Sequence, residues 1–269
     1  MPHLQVNGVR LCYELHGPQG APVVALLNGV LMTTASWALQ TPVLARRYQV
    51  LLHDMRNQGA SDHPPGACSM ALHAQDLAAL LHGLGIERAH LAGISYGGEV
   101  AQRFALDFPG MVHSLFISSA VSEVRPLLAA RIRGWMEAVG RRDGKLLYRC
   151  SVADNFSEAW LAAHSEWLAA SMERYQQLDF DAVRRLLEAF SETDWTPELS
   201  RIAAPTMVVV GELDALKPLD PYSRLLAREI PGAQLLILAG AGHACCLEAP
   251  TAWNLALLGW LATHSDNPR

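Results

Sequence analysis

Ser95 stands in the run HLAGISYGGEVAQ, residues 90–102, with Gly93 two positions before it and Gly97 two after. Apolar residues lead into it and a helix-like run leads away. A chain that passes from strand to helix at a single residue turns so sharply that side chains two before and two after would collide, and glycine at both positions permits the turn. The hydroxyl then projects from the carboxyl edge of a sheet. It lies beside a helix N-terminus whose N–H groups can stabilise a developing oxyanion. A glycine-rich turn with a surface serine would carry the same letters. The flanking strand and helix are what make Ser95 a candidate nucleophile.

A serine hydroxyl needs a base, and the base needs an orienting group. On an elbow of this kind the partners follow in the order acid, then histidine. The run TMVVVGELDALKP offers Asp214 just past a strand, and LLILAGAGHACCLEAP offers His243 just past another. Three residues at strand carboxyl ends, in that order, point to attack on an acyl carbon through an acyl-serine. Asp214 as a plain turn residue is the competing reading, and Glu212 and Glu123 are the other acids in reach.

These residues need a scaffold. Segments 2–6 and 9–16 flank Asn7-Gly8, a hairpin signal. Strands are expected at 21–29, 48–54, 88–95, 112–120, 206–210 and 234–238, with helices at 68–86 and after Ser95. Strand–helix alternation on this scale predicts an α/β fold: an eight-stranded, mostly parallel sheet covered on both faces. The alternation stops between about 122 and 201, which reads as helices over 125–139, 157–175 and 180–190. Residues 1–121 and 202–269 are therefore assigned to the core and 122–201 to an inserted helical cap. The tail 263–269 is expected to fray.

Of the 269 residues, 51% are apolar, enough for a large core, and the net charge of -5 argues against nucleic acid. Five cysteines (Cys12, Cys68, Cys150, Cys245, Cys246) are odd in number and irregular in spacing, with no CxxC. They read as reduced thiols in a cytoplasmic chain. The first residues show no charged-then-apolar leader, and no apolar run is long enough for a membrane span.

With these motifs in place the chain resembles the α/β-hydrolase superfamily along nearly its whole length, through LLNG, DMRNQGASD, GISYGG, GELDALKP and GAGHACCLEAP. The resemblance implies Ser95 as nucleophile, His243 as general base and Asp214 as orienting acid. It also implies an oxyanion hole made by the backbone N–H groups of Val30 and Tyr96. A serine at the elbow disfavours the haloalkane dehalogenase and epoxide hydrolase branches, and no metal or organic cofactor is implied. Two departures stand out. Asn28-Gly29 replaces the His-Gly of many relatives, and Asn57 replaces a glycine, a mild change because Asn tolerates left-handed backbone.

The run NGVLMTTASW, residues 28–37, resembles the bacterial 3-hydroxyacyl transferases of rhamnolipid and polyester precursor synthesis, whereas GISYGG and DMRNQGASDHP look more like esterases and enol-lactonases. The expected function is a serine hydrolase of a carboxylic ester, lactone or thioester acting on a small acyl substrate. The alternative is an acyltransferase that takes its chain from acyl carrier protein or coenzyme A. A cluster of Arg125, Arg131, Arg133, Arg141, Arg142, Lys145 and Arg149 would serve that role, or be a solvated helix face. A non-catalytic receptor of the same fold is a second alternative. Asn28, Leu31, Trp135, Trp160 and Trp167 are candidate substrate contacts. For Asn28 the competing reading is a brace for the oxyanion loop, and for the tryptophans it is plain cap core.

Overall fold

A computed structural model describes residues 1–265. Eight strands form one sheet in the order β1-β2-β4-β3-β5-β6-β7-β8. The hairpin β1 (His3–Val6) and β2 (Val9–His16) is antiparallel, and β2 pairs antiparallel with β4. The pairings among β3 (Val23–Leu27), β4 (Gln49–His53), β5 (Ala89–Ile94), β6 (Val112–Ser118), β7 (Thr206–Gly211) and β8 (Gln234–Leu238) are all parallel. Every residue of β3 and β5 is buried. That is why these strands read as unbroken apolar runs: a parallel sheet is covered on both faces.

The covering helices are α1 (Thr41–Leu44), α2 (Met70–Gly83), α3 (Tyr96–Asp107), α9 (Arg224–Glu229), α10 (Cys245–Glu248) and α11 (Pro250–His264). On one face Leu77, Leu80 and Leu81 of α2 and Val100 and Phe104 of α3 pack on the sheet. On the other face Trp37 and the α11 residues Trp253, Leu257 and Leu261 form a second core with Val24, Leu26 and Val50. The expected fraying of the tail is corrected for Thr263 and His264, which close α11, with Thr263 Oγ1 donating to the Trp260 carbonyl at 2.8 Å. Residues 266–269 lie outside the described residues.

Between β6 and β7 the chain forms α4 (Pro126–Gly140), α5 (Gly144–Asn155), α6 (Glu158–Ala163), α7 (Ser165–Tyr175) and α8 (Phe180–Ser191). Two differences from the sequence reading have physical causes. The single helix expected over 157–175 is broken at His164, where φ is -127° and ψ 37°. The ring of His164 stacks on Trp160 and its Nδ1 donates to the Trp160 carbonyl at 2.8 Å, competing with the backbone for that acceptor. Helix α5 was not expected. Asp143 starts it by accepting from Leu146 N–H at 2.9 Å, a capping signal present in the sequence.

Candidate active site

Ser95 occupies the turn between β5 and α3 with φ 53° and ψ -122°, a conformation that costs a non-glycine residue about 1–3 kcal/mol. The surroundings hold it there. Its N–H donates to the Ser118 carbonyl at 2.8 Å, and its carbonyl accepts from Gly98 N–H at 2.7 Å. A Cβ on Gly93 would strike the Gly97 carbonyl, and one on Gly97 would strike the Leu27 carbonyl. The glycines are thus demanded by close approach of α3 to β5 and β3.

Asp214 and His243 sit in the loops after β7 and β8. The loops meet closely: Leu213 N–H donates to the Ala241 carbonyl at 2.8 Å, and a Cβ on Gly211 would strike the Gly242 carbonyl. His243 Nδ1 lies 2.9 and 3.1 Å from the two Asp214 oxygens, with both side chains buried. An ionised carboxylate only accepts, so Nδ1 carries the hydrogen and Nε2 of the neutral ring keeps its lone pair. The other two acids are engaged elsewhere. Glu123 accepts from Arg125 Nε at 2.5 Å, and Glu212 accepts from Gly240 N–H at 2.9 Å.

The His243 loop is also tied to the inserted helices. Glu248 accepts from Gly242 N–H at 3.0 Å and from Ser157 N–H at 3.1 Å. Ala244 N–H donates to the Asn155 carbonyl at 2.9 Å. Both neighbours of the histidine are therefore anchored, one of them directly on the end of α5.

A narrow apolar cavity adjoins Ser95, with room for about one water-sized molecule. Val30 and Tyr96 border it from the core, and Leu128, Trp135, Leu187 and Phe190 from α4 and α8. The Tyr96 ring points into the core, its hydroxyl 2.9 Å from His73 Nε2.

Of the candidate substrate contacts, Trp135 lines the cavity and also donates from Nε1 to the Cys150 carbonyl at 3.3 Å. Asn28 as a substrate contact is corrected. It is fully buried, its Nδ2 donates to the His53 carbonyl at 3.0 Å, and its Oδ1 accepts from Trp37 Nε1 at 2.8 Å. With the amide consumed on both sides it braces the loop after β3. Trp160 and Trp167 belong to an aromatic cluster instead: Trp160 stacks on Phe156 at 4.3 Å and meets Trp167 edge-on at 5.0 Å. Leu31 packs half-buried against the core. Asn57 adopts φ 66°, as an Asn standing for glycine should, and its Oδ1 accepts from Arg185 Nε of α8 at 3.1 Å.

Two residues escaped the sequence reading. Lys217 and Glu99 are buried at 1% and 0% exposure, and their ion pair is 2.9 Å long. Lys217 Nζ also donates to Ser95 Oγ at 3.2 Å, while its backbone N–H donates to Asp214 Oδ1 at 2.8 Å. Burial pushes the Lys217 ammonium down and the Glu99 carboxyl up from their usual ranges, and mutual attraction opposes both shifts. A signal existed. Glu99 lies four residues after the serine on a helix otherwise bound for the core, and Lys217 three after the acid. Charged residues enter cores in pairs.

An elbow serine, an aspartate-bound histidine and a mostly parallel eight-stranded sheet are features of one class. The family described as alpha/beta hydrolase fold matches residues 22–250, and the chain belongs to it; it is a hydrolase. It is 32% identical to "Putative carbamate hydrolase RutD" of Stutzerimonas stutzeri (strain A1501), over 93% of this chain and 96% of that one. Among solved structures, MGS-M2, an alpha/beta hydrolase enzyme from a Medee basin deep-sea metagenome library, superposes with a TM-score of 0.92 at 26% identity, covering 97% of each chain. A thermophilic esterase from Thermogutta terrifontis superposes with a TM-score of 0.88 at 26% identity, covering 98% of this chain and 100% of the other. No helix among the described residues is long and apolar enough to cross a membrane.

Proposed function

We propose that the protein cleaves a carboxylic ester, lactone or thioester through an acyl-serine, with Ser95, His243 and Asp214 as the catalytic triad. The observation that carries this is the His243 Nδ1–Asp214 pair, buried at the sheet edge where Ser95 is held in its strained turn beside an apolar cavity. His243 Nε2 takes the hydroxyl proton as Ser95 Oγ attacks the acyl carbon, and the backbone N–H groups of Val30 and Tyr96 hold the oxyanion. Collapse expels the leaving oxygen or sulfur, which receives the proton from His243. Water, deprotonated by the same imidazole, then releases the acid. Residues 122–201 act as the cap, supplying Leu128, Trp135, Leu187 and Phe190 as an acyl-binding wall. All five cysteines are free, which supports a reducing, cytoplasmic setting.

The identity to a protein named for carbamate hydrolysis favours a second reading, since a carbamate is attacked at its acyl carbon by the same machinery. The apolar wall favours the ester. Acyl transfer draws less support. The basic residues proposed to meet an acyl carrier protein or coenzyme A are largely matched by acids: Arg125 with Glu123, Arg131 with Asp154, Arg141 with Glu137, Arg142 with Asp181 and Lys145 with Glu173. A panel of p-nitrophenyl esters, lactones, acyl thioesters and carbamates, assayed with and without an alcohol acceptor, tests these readings. Esters should turn over fastest and yield free acid. Ser95→Ala should abolish that turnover with the fold intact, and a variant that keeps most of its activity rejects the nucleophile.

A further inference from the structure

We propose that Lys217 is a further catalytic residue, whose ammonium, held by Glu99, donates to Ser95 Oγ and stabilises negative charge on that oxygen as it attacks and as it leaves. The proposal rests on Ser95 being the nucleophile. Lys217 reaches the elbow from the Asp214 loop. Its acceptors are the Glu99 carboxylate, Oε1 at 2.9 Å and Oε2 at 3.1 Å, and Ser95 Oγ at 3.2 Å. The Phe190 ring lies 4.3 Å from Nζ, a cation–π contact that suits a charged amine. Glu99 is fixed in turn by accepting from Val121 N–H at 2.7 Å.

An ammonium has no acceptor, so Ser95 Oγ must be the acceptor in this bond. The serine proton is thereby directed away from Lys217 and left for a base. As that proton passes to His243 Nε2 and the Oγ–carbon bond forms, the carbonyl π pair moves to the carbonyl oxygen, and partial negative charge on Oγ faces a fixed positive group. In deacylation the water oxygen bonds to carbon, the carbon–Oγ bond breaks with its electron pair on Oγ, and His243 returns the proton. Lys217 keeps all its protons throughout. A buried ion pair contributes little to stability that an apolar pair would not, so its place against the nucleophile is the informative feature. Glu99 acts through Lys217 and is a positioning residue.

The test removes both charges together, so that neither is left buried alone. The Lys217→Met/Glu99→Gln variant is compared with wild type by thermal unfolding, by the rate of Ser95 labelling with a fluorophosphonate followed by mass spectrometry, and by kcat and KM on p-nitrophenyl acetate. The expected result is a folded variant, labelling slowed about 100-fold, kcat lowered to match and KM nearly unchanged, in the range for losing one charge-stabilising donor. If this variant fails to fold, Lys217→Gln/Glu99→Gln, which keeps a neutral hydrogen-bonding pair, takes its place. A folded variant labelled at the wild-type rate overturns the proposal, as does failure of both variants to fold, which would assign the pair to the fold. Wild type that hydrolyses the ester but takes no label at Ser95 would reject the nucleophile itself, an outcome separate from the first.

Discussion

The carboxyl edge of the sheet and the helices inserted between β6 and β7 meet at one cavity but are held in place differently. At the sheet edge, close backbone contact fixes the turns that carry the reactive side chains. Gly93, Gly97 and Gly211 each lie where a Cβ would strike a carbonyl, and Ser95 is tied through its own N–H and C=O. The insertion is held by side chains: Trp135, Leu186 and Leu187 in the core, a Phe156–Trp160–Trp167 aromatic cluster, and ion pairs on its surface. The edge therefore tolerates little change in geometry, whereas most of the insertion can be repacked, the start of α5 excepted, where a Cβ on Gly144 would strike the Tyr175 carbonyl. The difference suits a proposed division of labour, with reaction chemistry at the edge and choice of acyl group in the insertion.

The comparison breaks first at the edge. His243→Ala should lower kcat on p-nitrophenyl esters by at least about 1,000-fold with an unchanged circular dichroism spectrum, because both proton transfers of the proposed mechanism pass through that ring. A loss under tenfold would move the chemistry elsewhere. Gly97→Ala should destabilise by about 3 kcal/mol or more in urea unfolding, since the new methyl meets backbone that cannot yield. In the insertion the two tryptophans should part company. Trp135→Ala, at a buried wall, should cost about 3 kcal/mol and raise kcat/KM for longer acyl chains relative to acetate. Trp167→Ala, at 38% exposure, should cost about 0.5 kcal/mol and leave the chain-length profile as it was. Equal effects of the two would erase the distinction between wall and cluster.

Acid should probe the histidines buried in the core. Burial holds His53 near 4, His73 near 3 and His90 near 4, below the usual 6.5. Each stays neutral in the folded chain while the unfolded chain takes up protons below pH 6.5. The stability present above pH 6.5 is therefore lost as pH falls toward 4, by about 2 kcal/mol per histidine at pH 5. Urea midpoints at pH 7 and pH 5 check this, and equal midpoints would contradict it.

Much of the edge was legible because backbone constraints write themselves as residue type. Asn7-Gly8 marked the hairpin, apolar runs marked β3 and β5, and the glycines around Ser95 marked the elbow. Strand β8 fell at the residues expected, Gln234–Leu238. The insertion was less legible because its boundaries depend on side-chain competition in three dimensions. His164 ends a helix by bonding back to Trp160. Outside the insertion, in the loop after β3, the choice between substrate contact and brace for Asn28 turned on the same kind of side-chain contact, with His53 and Trp37 consuming its amide. The Lys217–Glu99 pair was missed for a related reason. The two residues lie 118 positions apart, and neither is unusual until both prove buried.

The two carboxylate oxygens of Glu248, one on Gly242 and one on Ser157, act as a rivet between the histidine's loop and the helices above it. Pruning the insertion to a minimal scaffold, or grafting one from a relative, would undo that rivet and strip Ala244 of its partner at Asn155. A chimera of this protein must therefore carry Asn155, Ser157 and Glu248 across the splice as a unit, or lose the register of its imidazole along with the wall it meant to exchange.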